Sequence, residues 1–375
     1  MTFVTRHFLP CVFASLTLLA LIGGGTAHAQ TTYTFVDLGV SNVTGINNNG
    51  QVCGNTFRIN PVLVNGTLVW NKDDNGDGIN DLVQPLPLLN GTTSSRAKAI
   101  NASGQVAGSV VTTKGSNTAL WSATSSAALT PLAPNASYAE GINDGGDLVG
   151  TVTIRAGNYA CLWKKAGSKY TATQLPDLSG CTNGFARAVN TNRQVVGVTY
   201  PTNGSTRVAF FWSASTGTIS LPYPVGHLPG GLVNAINAAG QASGTSNTGT
   251  YDTFTLPDGA LVNRPLTVAF LYDHASGSSF ALGTPAGFVS TEGWAMNSAI
   301  APQIVGSARR SYADGSGYSA FVWQNGGSTD LNTVTAGVPF GATLTGGIAI
   351  NDSGYIIGGY NVNGQTRAFL LIPGP

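Results

Sequence analysis

The chain has 375 residues, with 17 basic and 16 acidic side chains, and only 9% of it is charged, against roughly a quarter in an ordinary soluble domain. So balanced a chain has no electrostatic reason to seek nucleic acid or an anionic membrane surface, and neither is expected as a partner. The 50 glycines, with Ser, Thr and Asn crowding the gaps, imply many short strands and tight turns.

Residues 1–29 read as a secretory signal peptide: Arg6, an apolar run from Phe8 to Ile22, then the small-x-small site Ala27-His28-Ala29. The mature chain is expected to begin at Gln30 and to be extracellular or periplasmic. A retained N-terminal anchor is the alternative reading. No other stretch is long and apolar enough to cross a bilayer. Residues 30–375 are expected to form a single domain, monomeric and without membrane insertion.

Within that domain one pattern recurs seven times, as GINNNGQVCG, AINASGQVAG, GINDGGDLVG, AVNTNRQVVG, AINAAGQASG, AMNSAIAPQIVG and AINDSGYIIG. Its asparagines, Asn47, Asn101, Asn143, Asn190, Asn237, Asn297 and Asn351, lie about 40 to 60 residues apart, the period of a propeller blade or a long solenoid turn. Each copy reads as a β-hairpin whose Asn-x-x-Gly turn suits a type I turn with a following bulge. Arg193 replaces the turn glycine in the fourth copy, and Ser298 to Gln303 lengthen the sixth.

A third element of successive apolar residues follows each hairpin: TLVW, TALW, ACLW, AFFW, AFLY, AFVW and AFLL. Such runs mean strands buried on both faces. Trp70, Trp121, Trp163, Trp212 and Trp323 share one repeat position and read as packing between stacked sheets rather than as a ligand cage. A fourth element, VQPLP, LTPL, QLPDL, ISLP, FALG and TDLN, carries recurring proline and so belongs at a sheet edge. Its missing copy is at the opposite end of the chain, in TYTFVDLG, residues 32–39. The two ends thus supply what each other lacks. The expected fold is all-β, a seven-bladed β-propeller of four-stranded blades, closed by the N-terminal strand completing the last blade. Six or eight blades, or an irregular β-solenoid, are the alternatives.

The Asn-x-x-Gly, Ala-Phe-Leu-Trp and Asp-Leu-Gly elements together resemble the extracellular His-Ala-Phe repeat proteins, the HAF family. The resemblance covers nearly all of residues 30–375 and implies an exported repeat protein, without established chemistry. The histidine itself is absent: Val208, Val268, Ser319 and Arg367 stand ahead of Ala-Phe, so no role resting on it carries over.

Asn71 to Leu82 reads NKDDNGDGINDL. Asp73, Asn75, Asp77 and Asp81, with the carbonyl of Ile79, fall at the ligand places of a calcium loop, and Gly78 permits its sharp turn. The motif resembles loops of EF-hand, dockerin and thrombospondin type 3 repeats, although Gln84 stands where a bidentate Glu belongs. A structural calcium ion is one reading and a plain Asp/Asn/Gly hairpin loop the other. Of the cysteines beyond the signal peptide, Cys161 and Cys181 could pair, or Cys161 could serve as a small buried hydrophobe, while Cys53 is expected to be buried and free.

Enzymatic signals are sparse. His227 and His274 have no partner at metal-ligand spacing, no nucleophile elbow is present, and Glu140 and Glu292 are the only glutamates. Recognition is the favoured reading, carried by variable loops on one face of a constant scaffold. The residue three before each recurring Asn differs in every copy. The candidate ligand-binding side chains are Lys98, Glu140, Arg187 and Trp294, with a merely tolerant loop edge as the alternative. The expected function is a secreted, non-catalytic module binding glycan or protein; the alternative is a polysaccharide hydrolase or lyase on the same scaffold.

Overall fold

The Asn-x-x-Gly signature folds as the sequence predicts. In the second copy Gly104 N–H donates to the Asn101 carbonyl at 2.9 Å, Asn101 N–H donates to Gln105 O at 3.0 Å, and Gly104 takes a φ of 75°. That left-handed place is the one a type I turn with a following bulge reserves for glycine. The computed structural model describes residues 31–375 apart from 60–61, 71–81, 88–90, 114, 123–125, 129–135, 155–156, 203, 205, 257, 314–316 and 375. The signal-peptide reading of residues 1–29 lies outside the described residues.

The strands follow in chain order. β1 is Tyr33–Asp37. The first sheet contains β2 (Asn42–Ile46), β3 (Gln51–Ile59), β4 (Val62–Trp70) and β5 (Leu82–Pro85), and the second β6 (Thr92–Ile100), β7 (Val106–Thr112), β8 (Gly115–Trp121) and β9 (Ser126–Ala128). The third holds β10 (Ser137–Ile142), β11 (Leu148–Ile154), β12 (Gly157–Ala166) and β13 (Lys169–Gln174), and the fourth β14 (Cys181–Val189), β15 (Val195–Pro201), β16 (Val208–Ser213) and β17 (Gly217–Ser220). In the fifth are β18 (Leu228–Ile236), β19 (Gln241–Thr255), β20 (Leu261–Asp273) and β21 (Ser278–Ala281), and in the sixth β22 (Ser290–Met296), β23 (Ile304–Arg309), β24 (Tyr318–Gln324) and β25 (Gly327–Asp330). The chain continues through α1 (Leu331–Val334), β26 (Thr335–Ala336), β27 (Thr343–Ile350), β28 (Ile356–Val362) and β29 (Gln365–Pro373).

Two parts of the expected architecture need correction. Seven equal four-stranded blades are not present: among the described residues six sheets have four strands in sequence order, and the remaining sheet has five, in the order β26-β1-β29-β28-β27. The N-terminal strand is also not the edge that closes the ring. β1 pairs antiparallel with β29 but is flanked on its outer side by β26, which runs parallel to it through Tyr33 opposite Thr335 and Thr34 opposite Ala336. The cause is local: the Asp330 side chain caps the single turn of α1 by accepting from Asn332 N–H, and the chain leaving that turn lies against the β1 edge.

The last and first repeats meet instead at the hub. The first strand of each sheet packs on the first strands of its neighbours, β27 on β2 included. Their turns are stapled by the recurring asparagines. Asn47 Nδ2 donates to Asn101 O at 3.0 Å, Asn101 to Asn143 O at 3.2 Å, Asn143 to Asn190 O and Asn190 to Asn237 O both at 2.9 Å, and Asn351 to Asn47 O at 3.1 Å. Each of these asparagines also accepts, through Oδ1, the backbone N–H four residues on, as in Asn101 with Gln105 N. One buried amide thus satisfies its own turn and holds the next sheet.

Between sheets, Trp121, Trp163 and Trp323 are fully buried, as are Tyr272 and Leu371 at the same repeat position. Trp121 packs with Cys53 and Leu86 of the preceding sheet, so the expected packing role holds there; the Trp70 side chain lies outside the described residues. The fourth strands end earlier than the fourth motif suggests. β13 stops at Gln174, and the motif's Leu175 is a buried plug whose N–H donates to Ala160 O at 2.8 Å, an arrangement repeated by Leu86, Leu221 and Leu282.

Candidate binding site

All seven first strands carry a β-bulge at one repeat position. The pairing registers skip from Val43 to Gly45, Ala97 to Ala99, Ala139 to Gly141, Ala186 to Ala188, Val233 to Ala235, Gly293 to Ala295 and Gly347 to Ala349. The skipped residues are Thr44, Lys98, Glu140, Arg187, Asn234, Trp294 and Ile348, the variable position read from the sequence. A bulge leaves its residue outside the ladder and re-aims the side chain. The ladder therefore places no packing demand on this one position, whereas its neighbours Ala97, Ala139 and Ala186 are fully buried.

The same bulge explains the glycine that closes every hairpin copy. A Cβ on Gly54, Gly108, Gly150, Gly197, Gly244, Gly306 or Gly358 would run into the first-strand carbonyl of Asn42, Arg96, Tyr138, Phe185, Leu232, Glu292 or Gly346, respectively. Seven bulges thus require seven glycines.

The bulge side chains reach their neighbours around the hub. Thr44 Oγ1 donates to Ala97 O at 3.2 Å and Asn234 Nδ2 to Gly293 O at 2.8 Å, each across to the next sheet. Lys98 Nζ lies 3.0 Å from Glu140 Oε2, so two of the four candidate ligand contacts already satisfy each other. Arg187 has no ion-pair partner among the described residues. Trp294 is 39% exposed; its indole N–H points to Ser307 Oγ at 3.4 Å, and that hydroxyl in turn to Glu292 Oε2 at 3.5 Å. These four residues sit two places before the last residue of their strands, nearer the Asn turns than the strand entrances the sequence suggested.

Arg96, Lys98, Ser109, Ser116, Tyr138 and Glu140 line a pocket of about 360 Å³ between the second and third sheets. Burial pushes the Tyr138 phenol above its ordinary value; the Thr151 hydroxyl opposes that shift, the Glu140 charge adds to it and the Arg187 charge opposes it. The Glu292 carboxyl is also raised by burial, against the opposing effects of Ser307 and Arg309.

Glu140 and Glu292 belong to the third and sixth sheets, inside β10 and β22 rather than before them, and among the described residues Glu140 pairs with Lys98 and Glu292 accepts from Ser307. Among the described residues, His227 Nδ1 is 2.7 Å from the buried Ser246 Oγ, and His274 stacks on Phe211 at 4.1 Å between centroids. Cys53, Cys161 and Cys181 are all free, so the Cys161–Cys181 bond is absent. Burial pushes the Cys53 and Cys161 thiols up to about 12.

Asp73, Asn75, Asp77, Ile79 and Asp81 of the calcium-like loop lie outside the described residues. Among the described residues no cluster of acidic, His and Cys side chains is suited to a metal ion, and no helix is long and apolar enough to cross a membrane.

Sequence reasoning missed three features. The bulge has no local sequence signal. The glutamine four after the Asn was legible in Gln51, Gln105, Gln194 and Gln241, whose Oε1 accepts from Nδ2 of the preceding Asn. The third is a pair of exceptions: Asp147 replaces that glutamine, Arg193 replaces the turn glycine one sheet on, and Arg193 Nε meets Asp147 Oδ2 at 2.8 Å.

No family model matches the chain and no curated protein matches it, so nothing here supports the HAF name. Among solved structures the chain is similar to an oligogalacturonate lyase in complex with manganese, at 12% identity and a TM-score of 0.50, over 92% of this chain and 91% of that one. It is also similar to a chain from an analysis of two prolyl endopeptidases, at 10% identity and a TM-score of 0.49, over 92% of this chain and 50% of that chain. With the uncomplexed Pyrococcus horikoshii acylaminoacyl peptidase the values are 8% and 0.48, over 91% of this chain and 51% of the peptidase, so the chain spans about half of that protein's length. At such identities the likeness is one of fold, and the fold is a β-propeller.

Proposed function

We propose that the chain is a secreted, non-catalytic recognition module that binds an extracellular glycan or protein through its first-strand bulge residues, Lys98, Glu140, Arg187 and Trp294. The observation that carries this reading is the coincidence of the seven bulges with the one hairpin position whose chemistry changes in every repeat. A constant scaffold that releases one side chain per repeat from packing can vary its ligand contacts without losing stability. A calcium ion held by the loop at residues 71–82 enters this reading as a structural stabiliser.

A glycan array followed by a reducing-sugar assay on every glycan bound tests the proposal. The expected result is binding with no release of reducing ends. Chain cleavage of a bound glycan by the unaltered protein contradicts the non-catalytic reading and favours a hydrolase or lyase.

A further inference from the structure

We infer that the pocket between the second and third sheets takes the carboxylate of an acidic oligosaccharide, an inference that rests on the recognition reading and names its ligand class. The pocket's charge is not that of the molecule. The whole chain carries a formal charge of +1, yet two cations, Arg96 and Lys98, line this cavity beside a single carboxylate, Glu140. Arg96 rises from β6 on the second-sheet side, with Tyr138 and Glu140 of β10 opposite.

Lys98 is neutralised by Glu140 at 3.0 Å. Arg96 and Arg187 are left without an ion-pair partner among the described residues. A guanidinium lining the cleft without an ion-pair partner among the described residues, that of Arg96, is a recognition device for a planar anion, because the fixed N–H fork matches both oxygens of a carboxylate.

The rest of the lining selects the carrier of that carboxylate. Ser109, Ser116 and Tyr138 present hydroxyls, and Glu140 retains lone pairs that accept from O–H donors. A sugar ring supplies hydroxyls to all of these, whereas a poly-acidic peptide brings a second carboxylate against Glu140 and few donors for the others. The cleft lies beside the β7–β8 connection, since Thr92 at the start of β6 pairs with Thr112 at the end of β7, and Val111 and Ser116 belong to the same wall.

Calorimetric titration of the exported chain with oligogalacturonate, with its methyl ester, with a sulfated oligosaccharide and with an acidic peptide tests the inference. Oligogalacturonate is expected to bind at least tenfold more tightly than the ester, with an affinity that falls as salt rises. Arg96→Ala is expected to weaken it tenfold or more at an unchanged melting temperature, and Arg96→Lys to recover only part of the loss. Equal binding of the ester, tighter binding of the sulfated sugar or of the peptide, or full affinity in Arg96→Ala overturns the inference. A neutral array ligand lost in Trp294→Ala, with no uronate binding, overturns it while leaving the recognition module standing. No array ligand of any kind overturns both.

Discussion

Arg193 stands in the left-handed region at a φ of 59°, where the equivalent turns have Gly50, Gly104, Gly146, Gly240 and Gly354. Its backbone cost, about 1 kcal/mol, is outweighed by the contact it makes. Asp147 is 2% exposed and accepts from Arg193 Nε, from Lys165 N–H at 2.8 Å and from Asn143 Nδ2 at 3.2 Å. Burial by itself would raise the Asp147 carboxyl, but these donors together hold it below its ordinary value. Arg193→Gly is expected to destabilise by about 2 kcal/mol, because it strands a buried charge while relieving the turn. Adding Asp147→Gln restores the Asn-Gln-Gly set of the sibling turns, and the double variant should return to within about 1 kcal/mol of the parent, a coupling that a double-mutant cycle in urea reads directly. Strictly additive losses would contradict the pairing. The pH dependence follows from the depressed carboxyl. As pH falls the unfolded chain takes the proton first, so the stabilisation by Asp147 is complete above the ordinary aspartate value and is lost as pH falls through the folded one. The double variant should accordingly lose less stability than the parent between pH 6 and pH 3. The sequence showed both exceptions, at positions 147 and 193, but not their meeting across two sheets.

At the scale of the element, hairpins and third strands were legible because their signals are local: turn residues at fixed offsets and apolar runs. The bulges were not, because any residue tolerates that place and the evidence for it is a carbonyl brought close to a glycine one strand away. Gly108 is the direct test. A Cβ there meets Arg96 O and Ala97 Cα, so Gly108→Ala is expected to cost about 2 kcal/mol or more. Gly327→Ala, whose Cβ would come no closer than 3.6 Å to Gln324 O, should change stability by less than about 0.5 kcal/mol. Equal melting shifts for the two would contradict the close approach. The fifth strand of the last sheet was equally hidden. Thr335–Ala336 is two residues long and carries no strand pattern, and it follows a single helical turn held by the Asp330 cap and by Asn332 bonded to Leu344.

Over the whole molecule, the recurrence of the hairpin could be read from the sequence, whereas the number of blades, the way the ring closes and the contacts between last and first turns could not. Those contacts lie in side chains that the sequence marks only as turn formers: besides the Asn351 bond to Asn47, Asn48 Nδ2 meets Asp352 Oδ2 at 2.9 Å and Asp352 N–H meets Asn48 Oδ1 at 2.9 Å. Asp352 is thus part of the joint between last and first turns and is not a neutral surface position. The loop at 71–82 belongs to this scale as well, since an ion bound only by the folded chain stabilises all of it by mass action. The parent should melt higher in excess calcium than in chelator, and Asp77→Ala should lower the melting temperature only when calcium is present. Identical melting of the parent in calcium and in chelator would remove the ion. Recognition through the bulge residues is tested most directly by measuring the affinity of an array-identified ligand for Arg187→Ala and Trp294→Ala beside Ala102→Ser and Ala238→Ser, which alter the exposed Asn turns. The bulge variants are expected to lose at least tenfold in affinity at an unchanged melting temperature, and the turn variants to bind as the parent does. Equal affinities in all four variants, or losses in the bulge variants that track unfolding, would contradict a binding site built on the bulges.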